Sequence, residues 1–483
     1  MALQSSKGPT SMALHNPKRP TCGMRLAAIV VLPAMLAGCM VGPNYKRPDM
    51  PSPAQYRFVD SPQAELVADA WWWQIFDDPA LQHLVKEAVA GNLDLRVAAA
   101  RVEEARARFG IAKSYLYPQV DGVASYGGRG ASSTEEGDDT TRQSGTFGFQ
   151  LSWELDLFGR IRREKEAAYA IVLATEQGRR GVVVTLVADV ATNYFLLREL
   201  DLQLEIARAT LKLNDDTVTY FRNRLEGGVS NRLELDRIIA NRARTAASIP
   251  DIEQQIAVIE NLLSLLLGRP PGTIPRNPLA SGEALPPAIP PGLPVQLLER
   301  RPDVVQAEEF LVAANADIGA AKALFYPRIS LTGFLGGVSG DLTTFLGGDG
   351  AGGVWSVAGG LLQPVFQGGR LRSNVEMMQA RFEAALAAYQ NSALNAYREV
   401  ANALITIQKL AEIRIQREIG VEALRDASEL ARTRYDSGLA SYIEILTADQ
   451  DLFEQQLLLA QTRGAELRAR AELYRTLGGG WKH

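Results

Sequence analysis

Phe147-Gly148-Phe149-Gln150-Leu151-Ser152-Trp153-Glu154-Leu155-Asp156-Leu157-Phe158 sets the fold class expected of this 483-residue chain. Phe147, Phe149, Leu151, Trp153, Leu155 and Leu157 alternate with Gly148, Gln150, Ser152, Glu154 and Asp156. A strict period of two is a strand with one apolar and one polar face. A tilted strand crosses a bilayer in ~9–11 residues, which this stretch supplies. Alone it also fits the half-buried strand of a soluble sandwich. What surrounds it argues for a membrane.

The chain repeats itself on either side. Asp94 to Pro118 reappears as Asp303 to Pro327, with the identical pairs Asp94/Asp303, Ala98/Ala307, Ala105/Ala314, Ala107/Ala316, Gly110/Gly319, Ala112/Ala321, Lys113/Lys322, Tyr117/Tyr326 and Pro118/Pro327 in one ungapped register. Such identity argues for internal duplication, each copy an Ala-rich helix stopped at a proline. A strand pair is expected after each proline: Gln119 to Arg129 with the quoted strand, then Arg328 to Leu335 with Val354 to Phe366. The loop of the first pair holds Glu135, Glu136, Asp138 and Asp139, and that of the second runs around Gly347 to Gly353. The glycine-rich loop lacks the Gly-Lys-Ser/Thr ending of a phosphate cradle and reads as a surface loop. Phe147, Phe149 and Leu157 correspond to Trp355, Val357 and Val365, so the apolar face is kept, with glycine at some bulky positions.

Beyond the strands the pattern turns helical. Arg160 to Glu226 contains no proline, nor does anything after Pro364. A helix of that length reaches about 100 Å at 1.5 Å per residue and points to coiled-coil packing, with Gly178 and Gly181 as places for a local irregularity. The long helices break at matching places, Arg224-Leu225-Glu226-Gly227-Gly228-Val229 and Arg434-Tyr435-Asp436-Ser437-Gly438-Leu439, where glycine supplies the left-handed cap of a helix hairpin. Leu267 to Pro294 carries nine prolines and reads as an irregular connector. The expected organisation is therefore a first repeat over 69–266, a Pro-rich connector over 267–294 and a second repeat over 295–483.

Residues 1–38 contain Lys7, Lys18, Arg19 and Arg25 but no acid, and end in the apolar run Leu26 to Ala37, as a signal peptide does. The n-region is long, and Met12 and Met24 are alternative starts. Leu36-Ala37-Gly38-Cys39 resembles a bacterial lipobox, in which Cys39 is the lipid attachment site (palmitate) and the first mature residue. Met40 in place of aspartate implies release to the outer membrane. Residues 39–68, with Pro43, Pro48, Pro51, Pro53 and Pro62, should run extended over a surface, and Trp71-Trp72-Trp73 should be packed anchors opening a helical region.

Cys22 lies in the signal, so the mature chain holds one cysteine, no internal disulfide and no Cys-based metal site. Removing residues 1–38 takes four of 51 basic residues and none of 55 acidic ones, leaving a net charge of −8, which excludes nucleic acid as a partner. With His15, His83 and His483 scattered, neither a His-based catalytic triad nor a His metal cluster can form, and no catalytic residues are expected.

Four strands cannot close a barrel, and each unpaired backbone group at an edge in lipid costs several kcal/mol. Two chains give eight strands filled by side chains, and three give 12 around a lumen. In such a barrel Gln150, Ser152, Glu154 and Asp156 would line water, and Trp153 and Trp355 would face lipid. Leu297-Leu298-Glu299-Arg300-Arg301-Pro302-Asp303-Val304, Ala313-Ala314-Asn315-Ala316-Asp317-Ile318-Gly319 and Phe325-Tyr326-Pro327-Arg328-Ile329-Ser330-Leu331-Thr332-Gly333 resemble signatures of the TolC-type outer-membrane factors. Val41-Gly42-Pro43-Asn44-Tyr45 is similar to the lipoprotein branch of resistance-nodulation-division efflux systems (OprM/NodT-like). The resemblance covers essentially the whole mature chain. It implies an α+β membrane protein, a homotrimer closing a 12-strand β-barrel in outer-membrane lipid and a 12-helix coiled-coil tunnel in the periplasm. It also implies docking by a periplasmic adaptor protein to an inner-membrane resistance-nodulation-division pump, passive conduction of small molecules or drugs, and no cofactor beyond the covalent lipid. The competing readings are a duct for protein secretion and a non-conducting, lipid-anchored periplasmic coiled-coil scaffold.

Glu234 and Glu444 occupy equivalent repeat positions, where a trimer would gather six carboxylates able to act on ions through a summed field. The resemblance places a periplasmic gate on the last hairpin's returning helix, an apolar ring at Ile443 and an aspartate ring at the position held by Thr447. Glu444, on the same helical face, substitutes for the missing aspartate. Arg434 reads either as one half of a closing salt bridge with an acid of the neighbouring hairpin or as an ordinary surface pair. Gly227, Gly228, Val229, Gly438 and Leu439 resemble the family's adaptor-docking tips.

Overall fold

A computed structural model of the chain describes residues 40–53, 73, 76–131, 140–277, 297–340 and 352–479. The signal, Cys39, Trp71, Trp72, the Glu135–Asp139 loop, most of the glycine-rich loop and residues 278–294 of the connector lie outside the described residues. The element order is α1 (Pro79–Gly91), α2 (Leu93–Ser114), β1 (Gln119–Ala131), β2 (Thr140–Leu155), α3 (Arg160–Glu226) and α4 (Arg232–Leu266). It then recurs as α5 (Leu297–Arg300), α6 (Pro302–Ala323), β3 (Arg328–Ser339), β4 (Gly352–Leu362), α7 (Arg370–Asp436) and α8 (Tyr442–Thr476). α3 and α7 are both 67 residues long and α4 and α8 both 35, so the two copies agree residue for residue in their hairpins.

The chain divides into two units. The first comprises Met1–Pro43, Lys113–Glu164 and Gly319–Asn374 and carries a four-stranded antiparallel sheet in the order β1-β2-β3-β4. Its register places Val120 opposite Leu151, Phe149 opposite Leu335, Trp153 opposite Leu331, Leu335 opposite Trp355 and Ile329 opposite Leu361. Paired residues point to the same face, so Val120, Phe149, Leu151, Trp153, Leu331, Leu335, Trp355 and Leu361 share one side. Gln119, Asp121, Gln150, Ser152, Thr332 and Ser356 share the other, as does Phe334, opposite Gln150 and Ser356. Val120, Phe149, Leu335, Trp355, Val357 and Leu361 are all exposed, as a lipid-facing surface requires.

The strands differ from expectation at their ends. β2 begins at Thr140 and stops at Leu155, leaving Leu157 and Phe158 in the turn, because Asp156 is diverted to cap the next helix. β1 and β3 run further than read, and β4 ends at Leu362, so Val365 and Phe366 are exposed beyond it.

The second unit comprises Asn44–Ala112, Lys165–Ile318 and Val375–His483. α1 starts where Asp78 accepts the amides of Ala80 and Leu81 at 3.0 and 3.4 Å, and Pro79 needs no partner at the first position. Helix α1 thus opens at Pro79, and Trp73 ahead of it is buried. Asp78 also accepts Tyr194 Oη at 2.6 Å and Arg198 Nη1 at 3.2 Å, tying α1 to α3. One core gathers Trp73, Leu81, Leu84, Val187, Val190, Tyr194, Leu197, Leu263 and Leu467. At about 1.5–3 kcal/mol per fully buried large apolar side chain, this packing accounts for the apolar middle of α3, which has the length and composition of a membrane span but lies against protein. A second core joins Val304, Leu311, Tyr389, Val400, Leu473 and Leu477. Gly178 and Gly181 do not interrupt α3; a Cβ at Gly178 would stand 2.6 Å from Gln306 Nε2, so that glycine serves a close approach.

Candidate functional site

Two places carry the residues singled out in the sequence: the helix turns of the second unit and the strand–helix junction of the first. At each helix turn the backbone closes a Schellman cap. Gly228 N donates to Leu225 O and Val229 N to Arg224 O, at 3.0 and 2.9 Å; Gly438 N and Leu439 N repeat this on Tyr435 O and Arg434 O, at 2.8 and 2.9 Å. Gly228 and Gly438 take φ of +75° and +72°, which only glycine adopts at little cost. Val229 and Leu439 follow them, 64% and 72% exposed, as apolar tips.

The carboxylates at these turns do not form one cluster in the chain. Glu234 is the third residue of α4; its amide donates to Asn231 Oδ1 at 2.9 Å and its carboxylate accepts Ser230 Oγ at 2.8 Å, an arrangement that caps the helix. Glu444 is the third residue of α8 and pairs with Arg434 of its own hairpin at 3.5 Å. Within the chain Arg434 thus makes an ordinary surface pair, because the tight turn brings these two side chains together. Both are about half exposed (49% and 47%), so the pair contributes at most about 0.2–1 kcal/mol. Thr447 Oγ1 donates to Ile443 O at 2.9 Å, spending its hydroxyl on its own helix. Ile443 and Glu234 share a shallow groove of about 160 Å³ with Leu233, Arg237, Tyr442 and Leu446.

Sequence reading missed what joins the two hairpins near their turns. Phe221 of α3 packs on Tyr442 at a ring-centroid distance of 4.2 Å and on Tyr435 at 6.2 Å, within a cluster that includes Val218, Leu235 and Ile238. Arg224 lies over Tyr220 and Tyr435 at 5.6 and 5.8 Å, and donates to Tyr220 Oη at 3.0 Å. Burial pushes the Tyr442 hydroxyl up to about 12. Arg224 and Arg434 hold equivalent repeat positions yet do different work, which the repeat alignment could have flagged but not resolved. Further along the hairpins, Arg468 pairs with the buried Glu199, whose carboxyl is pushed up by burial, and Glu466 accepts from Arg414 and Arg470, both at 3.0 Å. Among the described residues no group of three or more His, Cys, Asp or Glu could hold a metal ion.

At the strand–helix junction Asp156 accepts the amides of Ile161 and Arg162 at 3.0 and 2.8 Å, and Glu154 accepts Arg160 Nε and Nη2 at 3.1 and 3.0 Å. These two carboxylates hold the start of α3; Asp156 lies past the end of β2 and is nearly buried, whereas Glu154 stays on the polar face opposite Ser330. Trp153 is anchored through its indole N–H to Leu116 O at 3.1 Å, and Phe158 stacks on Tyr326 at 4.8 Å. Tyr115, Tyr117, Phe325 and Tyr326 stay exposed just ahead of the strands, where interfacial aromatic residues belong.

A sheet of bilayer length with one apolar face, both edges open to further copies, followed in the chain by hairpins of 67- and 35-residue helices, defines an oligomeric outer-membrane duct. The chain belongs to the outer membrane efflux protein family, whose model matches it twice, at residues 84–269 and 293–479. It is 34% identical over 451 residues to the cation efflux system protein CusC of Escherichia coli O6:H1, covering 92% of this chain and 97% of that one. To the solvent efflux pump outer membrane protein SrpC of Pseudomonas putida it is 36% identical over 462 residues, covering 92% and 96%. The solved outer-membrane channel OprN superposes with a TM-score of 0.85 at 33% identity, covering 92% of this chain and all of that one. The double match is the internal duplication. The fold is that of the family's trimeric channels, and the chain is an outer-membrane efflux channel.

Proposed function

We propose that the chain is the passive exit duct of a tripartite system, receiving small molecules from an inner-membrane resistance-nodulation-division pump through a periplasmic adaptor. The observation that carries this reading is the single apolar face shared by four paired strands of bilayer length, which a non-conducting scaffold has no use for. Relatives named for cation and solvent efflux favour small cargo over secreted protein. The duct supplies a path, not chemistry, and works without a cofactor. After removal of residues 1–38, Cys39 carries lipid. Gly227, Gly228, Val229, Gly438 and Leu439 dock the adaptor. Ile443 narrows the periplasmic entrance, with Glu444, Arg434 and Glu234 setting its charge and Thr447 standing at the position of the absent aspartate.

Single-channel conductance in a planar bilayer tests this, wild type beside the double variant Ile443→Ala, Glu444→Gln. Small, mostly closed currents that rise and change ion selectivity in the variant are expected. Silence from membrane-inserted trimers of both forms would refute conduction.

A further inference from the structure

The first described residues of the chain sit in a slot between the turn after β2, the start of α3 and Gly319 of α6. Val41 donates its amide to Phe158 O at 3.1 Å. Arg163 Nε donates to Val41 O at 3.2 Å and Arg163 Nη2 to Gly42 O at 3.4 Å. Arg163 is 1% exposed, so a buried guanidinium donates to two consecutive carbonyls of a segment more than a hundred residues away in sequence. Charge-assisted bonds of this kind are roughly twice as strong as neutral ones. Glycines shape the slot. A Cβ on Gly42, whose φ is +96°, would stand 2.4 Å from Gly319 Cα; one on Gly319 would stand 2.9 Å from Val41 O and 2.8 Å from Arg163 Nε; one on Gly159 would stand 2.6 Å from Met40 Cγ.

The duplication supplies an internal control. Gly110 is the repeat partner of Gly319, and Gly369, just before α7, that of Gly159; a Cβ on either meets nothing within 4 Å. Ser373 stands where the first copy has Arg163. The glycines were duplicated, whereas the guanidinium belongs to the first copy alone, with serine at the matching position of the second.

We propose that this slot is an anchor site for the lipid-bearing start of the mature chain, with Met40 to Gly42 seated and Arg163 as the positioning residue. The proposal rests on lipidation of Cys39, the residue before Met40. A seated segment makes the acyl chains leave from the turn that ends β2, at the base of a membrane-crossing strand, instead of from a loose tether. A lipid held there acts at a high effective concentration on the same membrane that the sheet enters.

The test uses full-length chains made with their signal: wild type, Arg163→Ala, Arg163→Lys, Gly42→Val and Cys39→Ser, the last alone and combined with Arg163→Ala. Incorporation of labelled palmitate, lost in Cys39→Ser, reports lipidation alone. Hydrogen exchange on purified trimers reports the seat: the Val41 amide, bonded to Phe158 O, should exchange on the order of tenfold faster in Arg163→Ala and Gly42→Val, with sheet amides unchanged and Arg163→Lys between. The yield of inserted trimers should fall in Arg163→Ala when Cys39 is present and no further when Cys39 is serine, the non-additivity of residues acting through one another. Gly42→Val alters only the seated segment and keeps the test valid if Arg163→Ala does not fold. Unchanged exchange in both slot variants would overturn the slot while leaving lipidation standing. Unlabelled wild type would overturn the lipid reading and the proposal with it, and equal losses with and without Cys39 would reduce Arg163 to a packing role.

Discussion

Replacing Phe221 with alanine should let the two helix hairpins of one chain part at their turns. The ring is 1% exposed, 4.2 Å from the ring of Tyr442 and 6.2 Å from that of Tyr435. Emptying a packed phenylalanine site costs about 3–5 kcal/mol, of which the ring pairs account for roughly 0.5–1.5 kcal/mol each. The cores around Tyr194 and Tyr389 do not include this ring, so the loss falls on the hairpin ends and not on the whole fold. If about 3 kcal/mol of it separates joined from parted turns, the parted population rises on the order of 100-fold, at tenfold per 1.4 kcal/mol. Open probability of single channels in planar bilayers reads this directly, with thermal scans controlling for the fold. Tyr435→Phe, which keeps the ring and removes a hydroxyl, should stay near wild type. Wild-type open probability from Phe221→Ala trimers, despite a lowered unfolding temperature, would remove this cluster from any role in holding the entrance closed.

Three further outcomes follow from other parts of the molecule. Gly228→Leu with Gly438→Leu should abolish export and adaptor co-purification while trimers persist, because a side chain at either position meets nothing within 4 Å and costs only about 1–2 kcal/mol of left-handed strain; unchanged export would remove these turns from the docking model. Asp156→Ala should lower stability by about 1–2 kcal/mol through loss of the α3 cap, seen as a lower unfolding midpoint. Glu418 is held below its ordinary value of 4.5 by hydrogen bonds from Arg463 and Arg414, against a smaller burial effect. Its contribution is therefore complete above that ordinary value and lost as pH falls through the lower folded one, so Glu418→Gln should lower stability at neutral pH, leave it nearly unchanged at acid pH, and thereby flatten the acid limb of a stability–pH curve.

The features legible in the chain were those encoded by neighbours a few residues apart. Proline-free length and a closing glycine placed α3 from Arg160 to Glu226, as the structure has it. Alternation marked the apolar face of β2 but misjudged its end, because Asp156 continues the pattern while its carboxylate is taken by two helix amides. Of the two readings open for Arg434, the chain shows the surface pair: Glu444 is within reach across the turn, and a charge pairs with what packing brings near.

By itself the sequence determined the duplication, the strand faces, the helix spans and, through them, the membrane class of the protein, since these depend on period, proline and glycine along the backbone. Only the tertiary structure decided that Phe221 joins the hairpins and that Arg163 seats Val41 and Gly42. Those contacts link residues far apart in the chain, and they exist because close packing leaves a buried ring or guanidinium one place to go.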